Sequence, residues 1–170
     1  GDNARLTVNF VNGETTVASM IVKKSDITAT TTEGNSLFDQ VIYDPGVGDI
    51  PANKVFRGWT DVEDYTVEGL GDEENPGTNP ALTIDDLRDA VKAKLNAGVT
   101  DGEEMTFYAM MFKVVNITFK DEAGIVIKNE GILTKNDDDE VEYYVDEAYT
   151  PKTSDQEFQG WYVTSADTVT

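Results

Sequence analysis

The sequence contains no cysteine and no histidine. These absences exclude disulfide bonds, thiol nucleophiles, imidazole bases and zinc sites built from thiolate or imidazole ligands. They leave the compartment open, since a chain without cysteine suits a bacterial exported protein as well as a cytosolic one. The chain also has no Gly-x-Ser-x-Gly motif, Walker loop or dinucleotide-binding fingerprint. We therefore predict that the protein is not an enzyme, and we assign no catalytic residue.

Basic residues are scarce. The 170 residues include 13 lysines and arginines against 33 aspartates and glutamates, which gives a net charge of −20 at pH 7. This charge argues against nucleic acid and anionic membrane surfaces as partners, because both repel an acidic protein. No apolar run approaches the ~18 residues of a membrane span, so we expect no direct membrane insertion. The simplest interpretation of the acidity is solubility and self-repulsion.

Two acidic segments, 72–74 and 137–140, could supply oxygen ligands for calcium. However, the chain has no Asp-x-Asp-x-Asp-Gly loop, and adjacent acids point in opposite directions along a strand. We expect solvated loops there, and no metal or other cofactor. A glycosidase-like pair of carboxylates is compatible with composition alone, because 33 acids form many pairs without specificity.

A short motif occurs twice and uses both tryptophans of the chain. It consists of an aromatic residue, a spacer, a glycine and a tryptophan: Phe56, Gly58 and Trp59 in the first copy, and Phe158, Gly160 and Trp161 in the second. Flat tryptophan faces could form a carbohydrate platform. Alternatively, each ring packs into the core of its own repeat, beside a glycine that permits close approach. We favour the core, because a repeated scaffold must repeat its core but need not repeat a binding site.

Alternation of apolar and polar residues predicts a hairpin at the start of the chain. Leu6, Val8 and Phe10 alternate with polar residues, which is typical of a strand with one buried face. Asn12-Gly13 suits a tight turn, because both residues tolerate positive φ. The β-branched segment 15–22 is the predicted return strand.

The same alternation returns in the second half of the chain. Val115, Ile117 and Phe119 repeat the earlier pattern, with a turn at 122–124 and a return strand over 125–133. We further predict strands at 54–60, 105–112 and 141–145. Segment 36–43 could be a short helix or a strand.

A change of period marks one amphipathic helix over about 84–96. Ile84, Leu87, Val91 and Leu95 recur at helical spacing. Thr83 is a good N-cap, and glycine at position 98 provides the stop. The apolar stripe is expected to pack on the sheet. The preceding segment, 61–80, is rich in glycine, proline and acids, and we interpret it as an exposed insertion.

These elements predict an α+β protein that is mainly β, built from two tandem modules. The first covers 1–113 and carries the helix and a long insertion at 61–98; the second covers 114–170 and is shorter or truncated. Lys113 alone separates the strand at 105–112 from the next one. A strand that runs from one module into the next predicts a stiff junction.

Several short motifs resemble the Listeria–Bacteroides repeat, also called the internalin B-repeat family, of β-grasp type. The matching pieces are Leu6–Phe10, Phe56–Trp59 and Thr106–Ala109 in the first module, and Ile117–Phe119 and Phe158–Tyr162 in the second. The resemblance implies a non-catalytic tandem module of a secreted or wall-attached bacterial surface protein, serving as a stalk, spacer or adhesive surface. The implied partners are neighbouring repeats and a host or cell-surface glycan or protein.

Two features depart from the family pattern. The insertion at 61–98 is longer than usual, and no closing strand follows the second motif. Long insertions are where binding functions accumulate. An alternative is therefore a glycan- or protein-binding module that uses the 61–80 loop and exposed aromatic residues, with Tyr65, Tyr143, Tyr144 and Trp161 as candidates.

Overall fold

The computed structural model describes residues 1–136, 139 and 157–161. These residues form an α+β fold that is mainly β. The strands are β1 (Leu6–Asn12), β2 (Thr15–Val22), β3 (Lys54–Thr60), β4 (Glu103–Lys120) and β5 (Val126–Thr134). The α-helices are α1 (Leu37–Val41) and α2 (Ile84–Ala97), and short 3-10 helices lie at Lys24–Ile27 and Glu68–Leu70.

The five strands form one mixed sheet in the order β2-β1-β4-β3, with β5 added to the far end of β4. β1 runs parallel to β4, and the other pairs are antiparallel. Lys113 pairs with Lys54 of β3 and with Thr134 of β5. A strand has only two edges, so β3 and β5 lie on opposite edges of β4. β5 therefore continues the edge that β1 occupies earlier along β4.

The opening hairpin is confirmed. Its turn places Gly13 at φ +61°, where a glycine meets no steric penalty. Leu6, Val8 and Phe10 are fully buried, and the intervening residues of β1 are only partly covered. The predicted period of two therefore separates a core face from an outer face.

Helix α2 is also confirmed, and local signals set both of its ends. The Thr83 side chain accepts a hydrogen bond from the Asp86 N–H, and the Asp86 carboxylate accepts one from the Thr83 N–H. Leu87, Val91 and Leu95 are buried in the main core with the apolar face of β1. Segment 36–43, left open between helix and strand, contains the short helix α1.

The predicted strand at 105–112 and the alternating segment that contains Val115, Ile117 and Phe119 are a single strand of 18 residues, β4. The return strand at 125–133 corresponds to β5. The predicted strand at 141–145 lies outside the described residues. Residues 157–161, which carry the second motif, belong to no helix or strand. The division into modules at 1–113 and 114–170 stays a prediction.

Candidate functional site

The first tryptophan of the repeated motif lies inside the core. Trp59 is 2% exposed, and its ring makes edge-to-face contacts with Phe10 and Phe56 at centroid distances of 5.1 and 5.6 Å. Phe10 in turn contacts Phe107 of β4 at 5.5 Å. Both faces of the indole are therefore enclosed by protein, which leaves no platform for a sugar ring on this residue.

Gly58 is required by the backbone around the motif. Its φ is +103°, a region that disfavours residues with a side chain. The β3–β4 register shifts between Phe56 and Trp59, so the strand bulges at this glycine. A Cβ at Gly58 would lie 2.8 Å from the Cβ of Ala81, and the Leu82 N–H donates to the Trp59 carbonyl at 2.9 Å. The sequence predicted a close approach between the backbone and the tryptophan ring at this glycine, but the neighbour that a Cβ would meet is Ala81.

The second copy reproduces the ring arrangement of the first. Trp161 makes edge-to-face contacts with Phe119 at 4.9 Å and with Phe158 at 5.2 Å. Gly160 has φ +114°, close to the value at the first glycine. Trp161 is half-buried, in contrast to the enclosed Trp59.

The 61–80 loop is not a simple exposed insertion. Only the tip, residues 71–76, is exposed throughout, and Asn79 at the base is 1% exposed. The Asn79 side chain accepts from the Thr66 N–H at 3.1 Å and donates to the Thr66 carbonyl at 3.0 Å. Its backbone N–H donates to the Gly69 carbonyl at 2.8 Å. A Cβ at Gly69 would overlap the Asn79 amide oxygen, so this glycine serves close packing.

The loop covers the second face of the sheet. Phe107 and Ala109 of β4 point into the main core. Because side chains alternate along a strand, Met110 and Phe112 point to the opposite face, yet both are fully buried. The Asn79 side-chain N–H donates to the Met110 sulfur at 3.5 Å. The 61–80 loop is thus a structural layer on the face of the sheet opposite α2.

Tyr65 ties this layer to the middle of β4. Its ring packs edge-to-face on Phe112 at 5.5 Å. Its hydroxyl accepts from the Met111 N–H at 3.2 Å and donates to the Met111 carbonyl at 3.4 Å. The Lys135 ammonium lies 4.2 Å from the ring centroid. Tyr65 therefore contacts β4 just before Lys113 and also contacts the segment that follows β5.

The acidic segments show no metal-binding geometry among the described residues, where no group of three or more potential ligands converges. At the loop tip, the Asp72 carboxylate accepts the Asn75 N–H at 2.6 Å, which closes a turn. Of segment 137–140, only Asp139 is described. Hydrogen bonds from the Asn136 backbone and side-chain N–H groups lower the pKa of its carboxyl.

Ion pairs near the start of β4 lower two further carboxyl pKa values. Hydrogen bonds from the Arg5 guanidinium and N–H hold the pKa of Asp101 at about 2. A hydrogen bond from Lys94 lowers the pKa of Glu103. Both groups stay ionised at neutral pH, so neither can act as a general acid there.

The six motif residues therefore form two small aromatic clusters and do not meet in one site. Sequence reasoning missed Asn79 and Gly69, which organise the loop. It named Tyr65 only as a candidate exposed aromatic, whereas Tyr65 is partly buried against β4. None of the described helices is long and apolar enough to cross a membrane. No family model matches the chain, and neither does any curated protein or any solved structure.

Proposed function

We propose that the chain consists of two tandem β-grasp-like units, 1–113 and 114–170, and acts as a non-catalytic structural or adhesive module of a bacterial surface or secreted protein. Its role is that of a stalk or spacer that presents other domains. The observation that carries the proposal is the duplicated aromatic cluster. Phe10 packs on Trp59 with ring centroids 5.1 Å apart. Phe119 packs on Trp161 at nearly the same centroid distance, 4.9 Å.

The rest of the repeat supports a duplication. Phe10 is the third apolar residue of the alternating pattern in β1, and Phe119 is the third in the second half of β4. Each of these strands is followed by an antiparallel return strand. The motif glycines share a positive φ. A duplicated scaffold of this kind is typical of extended arrays, and it fits the resemblance to bacterial surface repeats.

The junction supports a spacer role. β4 pairs with β1 and β3 in its first half and with β5 in its second half, with no loop between. At about 3.3 Å per residue, this strand of 18 residues extends for roughly 60 Å. The hydroxyl of Tyr65 adds two hydrogen bonds just before the junction. The net charge of −20 keeps neighbouring stalks apart.

The alternative is a glycan- or protein-binding module, and it has less support. The Tyr65 ring contacts Phe112 and Lys135, which leaves it poorly placed for a ligand. Trp161 is half-buried against Phe119. Tyr143 and Tyr144 lie outside the described residues. On the spacer proposal, the main partners are neighbouring repeats of the same protein.

Distance measurements between spin labels test the spacer. Because the chain has no cysteine, labels attach only at introduced sites, and we choose the exposed pair Glu33→Cys and Glu122→Cys to cross the junction. The control pair, Glu33→Cys and Asn96→Cys, stays within the first unit. We expect equally narrow distance distributions for both pairs. A broad distribution for the first pair beside a narrow control would contradict a stiff spacer.

A second measurement separates the spacer from the binding module. We expect the wild-type chain to show no micromolar binding to a glycan array or to extracellular-matrix proteins through its loop. Binding that disappears when residues 72–75 are replaced by a short glycine turn would instead support the alternative.

A further inference from the structure

The first and fourth strands are neighbours and run in the same direction. Their register joins six residue pairs, from Leu6 with Glu103 to Val11 with Tyr108. β1 opens the first unit and β4 leaves it. Tension between a point before β1 and a point after β4 therefore pulls the two strands in opposite directions along their common axis.

This geometry places the β1–β4 hydrogen bonds in shear. The bonds of a parallel ladder are evenly spaced, so sliding one strand along the other stretches all of them together. They must then break almost simultaneously. Peeling the strands apart from one end would break the same bonds one after another, at a much lower force. Forced unfolding is governed by the unfolding rate, so the direction of pulling can matter more than equilibrium stability.

The β1–β4 pair also occupies the centre of the sheet. β2 flanks β1 and β3 flanks β4, so neither member of the pair is an edge strand of the first unit. Water that could replace breaking hydrogen bonds has limited access to a central ladder. The core face adds resistance, because Phe10 of β1 packs on Phe107 of β4 and on Trp59 of β3. Sliding β1 would have to break these ring contacts as well.

Further bonds join the two strands at the end where the chain enters. The Arg5 guanidinium forms two hydrogen bonds with the Asp101 carboxylate, both at 3.1 Å, and the Arg5 N–H donates a third at 2.9 Å. The Gly102 N–H donates to the Arg5 carbonyl at 2.9 Å. Within the ladder, the Asn9 side chain donates to Glu104 at 3.2 Å.

We propose that β1 and β4 form a mechanical clamp that keeps the first unit folded when the chain is under tension. This inference rests on the proposed stalk function. It specifies that the stalk withstands tension along its own chain. A surface stalk that presents a distal adhesive domain is pulled along its own chain whenever that domain is held. The chain enters the first unit through β1 and leaves it through β4, so the force passes through the hydrogen bonds between these two strands.

Single-molecule force spectroscopy of the full chain tests the clamp. The shear variant carries handles at Asn3→Cys and Glu122→Cys, on either side of the β1–β4 pair. The peel variant carries them at Asn3→Cys and Thr100→Cys, both beside the first pair of the ladder. All three positions are exposed, and the chain has no cysteine of its own to compete for the handles.

We expect the shear variant to unfold at a force several times that of the peel variant at the same pulling speed. Urea unfolding should show equal stabilities for the two variants, which excludes a difference in folding as the cause. In the shear variant, unfolding releases the chain between the handles at positions 3 and 122. At no more than about 3.6 Å per residue, the contour length released should be on the order of 400 Å. Equal forces in the two directions would overturn the clamp. The spacer proposal would survive that result, because its label distances are measured without tension.

Discussion

Truncation of Trp59 tests the role of the repeated motif most directly. The ring is 2% exposed and contacts Phe10 and Phe56 edge-to-face. Replacing a buried tryptophan with alanine costs about 3–5 kcal/mol. Each aromatic pair contributes about 0.5–1.5 kcal/mol beyond its buried area. We therefore expect Trp59→Ala to lose about 4–5 kcal/mol of unfolding free energy, a large part of the 5–15 kcal/mol typical of a domain.

The indole nitrogen of Trp59 adds a second, sharper expectation. Among the described residues, its N–H is buried without a hydrogen-bond partner. A buried unsatisfied donor costs about 1–3 kcal/mol. Trp59→Phe removes this donor and keeps an aromatic ring, so it should be distinctly less destabilising than Trp59→Ala. A loss as large as that of the alanine variant would contradict this expectation.

Urea unfolding measures these losses. It is followed by far-UV circular dichroism rather than by fluorescence, because each substitution removes one of the two tryptophans that supply the fluorescence signal. Trp161→Ala is the matched control. Trp161 is half-buried, so less apolar area returns to water when it is truncated, and its loss should be smaller. A Trp59→Ala protein within about 1 kcal/mol of the wild type would refute the core assignment.

Three further predictions concern the loop and the start of the clamp. Tyr65→Phe should lower the unfolding free energy by about 1–2 kcal/mol, because two backbone groups of β4 lose their hydroxyl partner; an unchanged urea midpoint would argue against this tie. Asn79→Ala should cost about 1–3 kcal/mol, because it removes two hydrogen bonds to the Thr66 backbone. Its control, Asn75→Ala at the exposed tip, should stay within about 0.5 kcal/mol of the wild type. By carboxyl-carbon NMR, Asp101 should titrate with a pKa of about 2, and Arg5→Gln should return that pKa toward its ordinary 3.8. Because the pKa of Asp101 is lowered in the folded state, the ion pair stabilises the fold fully at pH values above the ordinary pKa of 3.8. This stabilisation is lost as the pH falls through about 2. A wild-type Asp101 pKa near 3.8 would contradict the pair.

Local signals predicted the local elements. Asn12-Gly13 determines the hairpin turn, and Thr83 begins α2, through interactions within a few residues of each site. The parallel pairing of β1 with β4 could not be predicted in this way, because alternation shows that a strand has a buried face but not which strand lies beside it. The Arg5–Asp101 ion pair at the start of that ladder joins residues 96 apart in the chain.

The 61–80 loop was misread for a physical reason. Glycine, proline and acids are typical of exposed loops, but Gly69 is present because a side chain there would collide with Asn79. A signal for the buried loop did exist in β4. The unbroken apolar run from Ala109 to Phe112 places hydrophobic residues on both faces of the strand, which is typical of a sheet covered on both sides. Only the tip at 71–76 behaves as its composition suggests.

The continuous strand β4 also fixes the rotational phase between the two proposed units. Lys113 is paired on both sides, and this pairing restricts rotation of one proposed unit against the other. Side chains alternate with a period of two, so inserting or deleting one residue near Lys113 would turn the second unit's core residues to the opposite face. Two residues would instead lengthen the junction and preserve the facing. A repeat array joined in this way can change its length only in even steps if successive units are to keep presenting the same side.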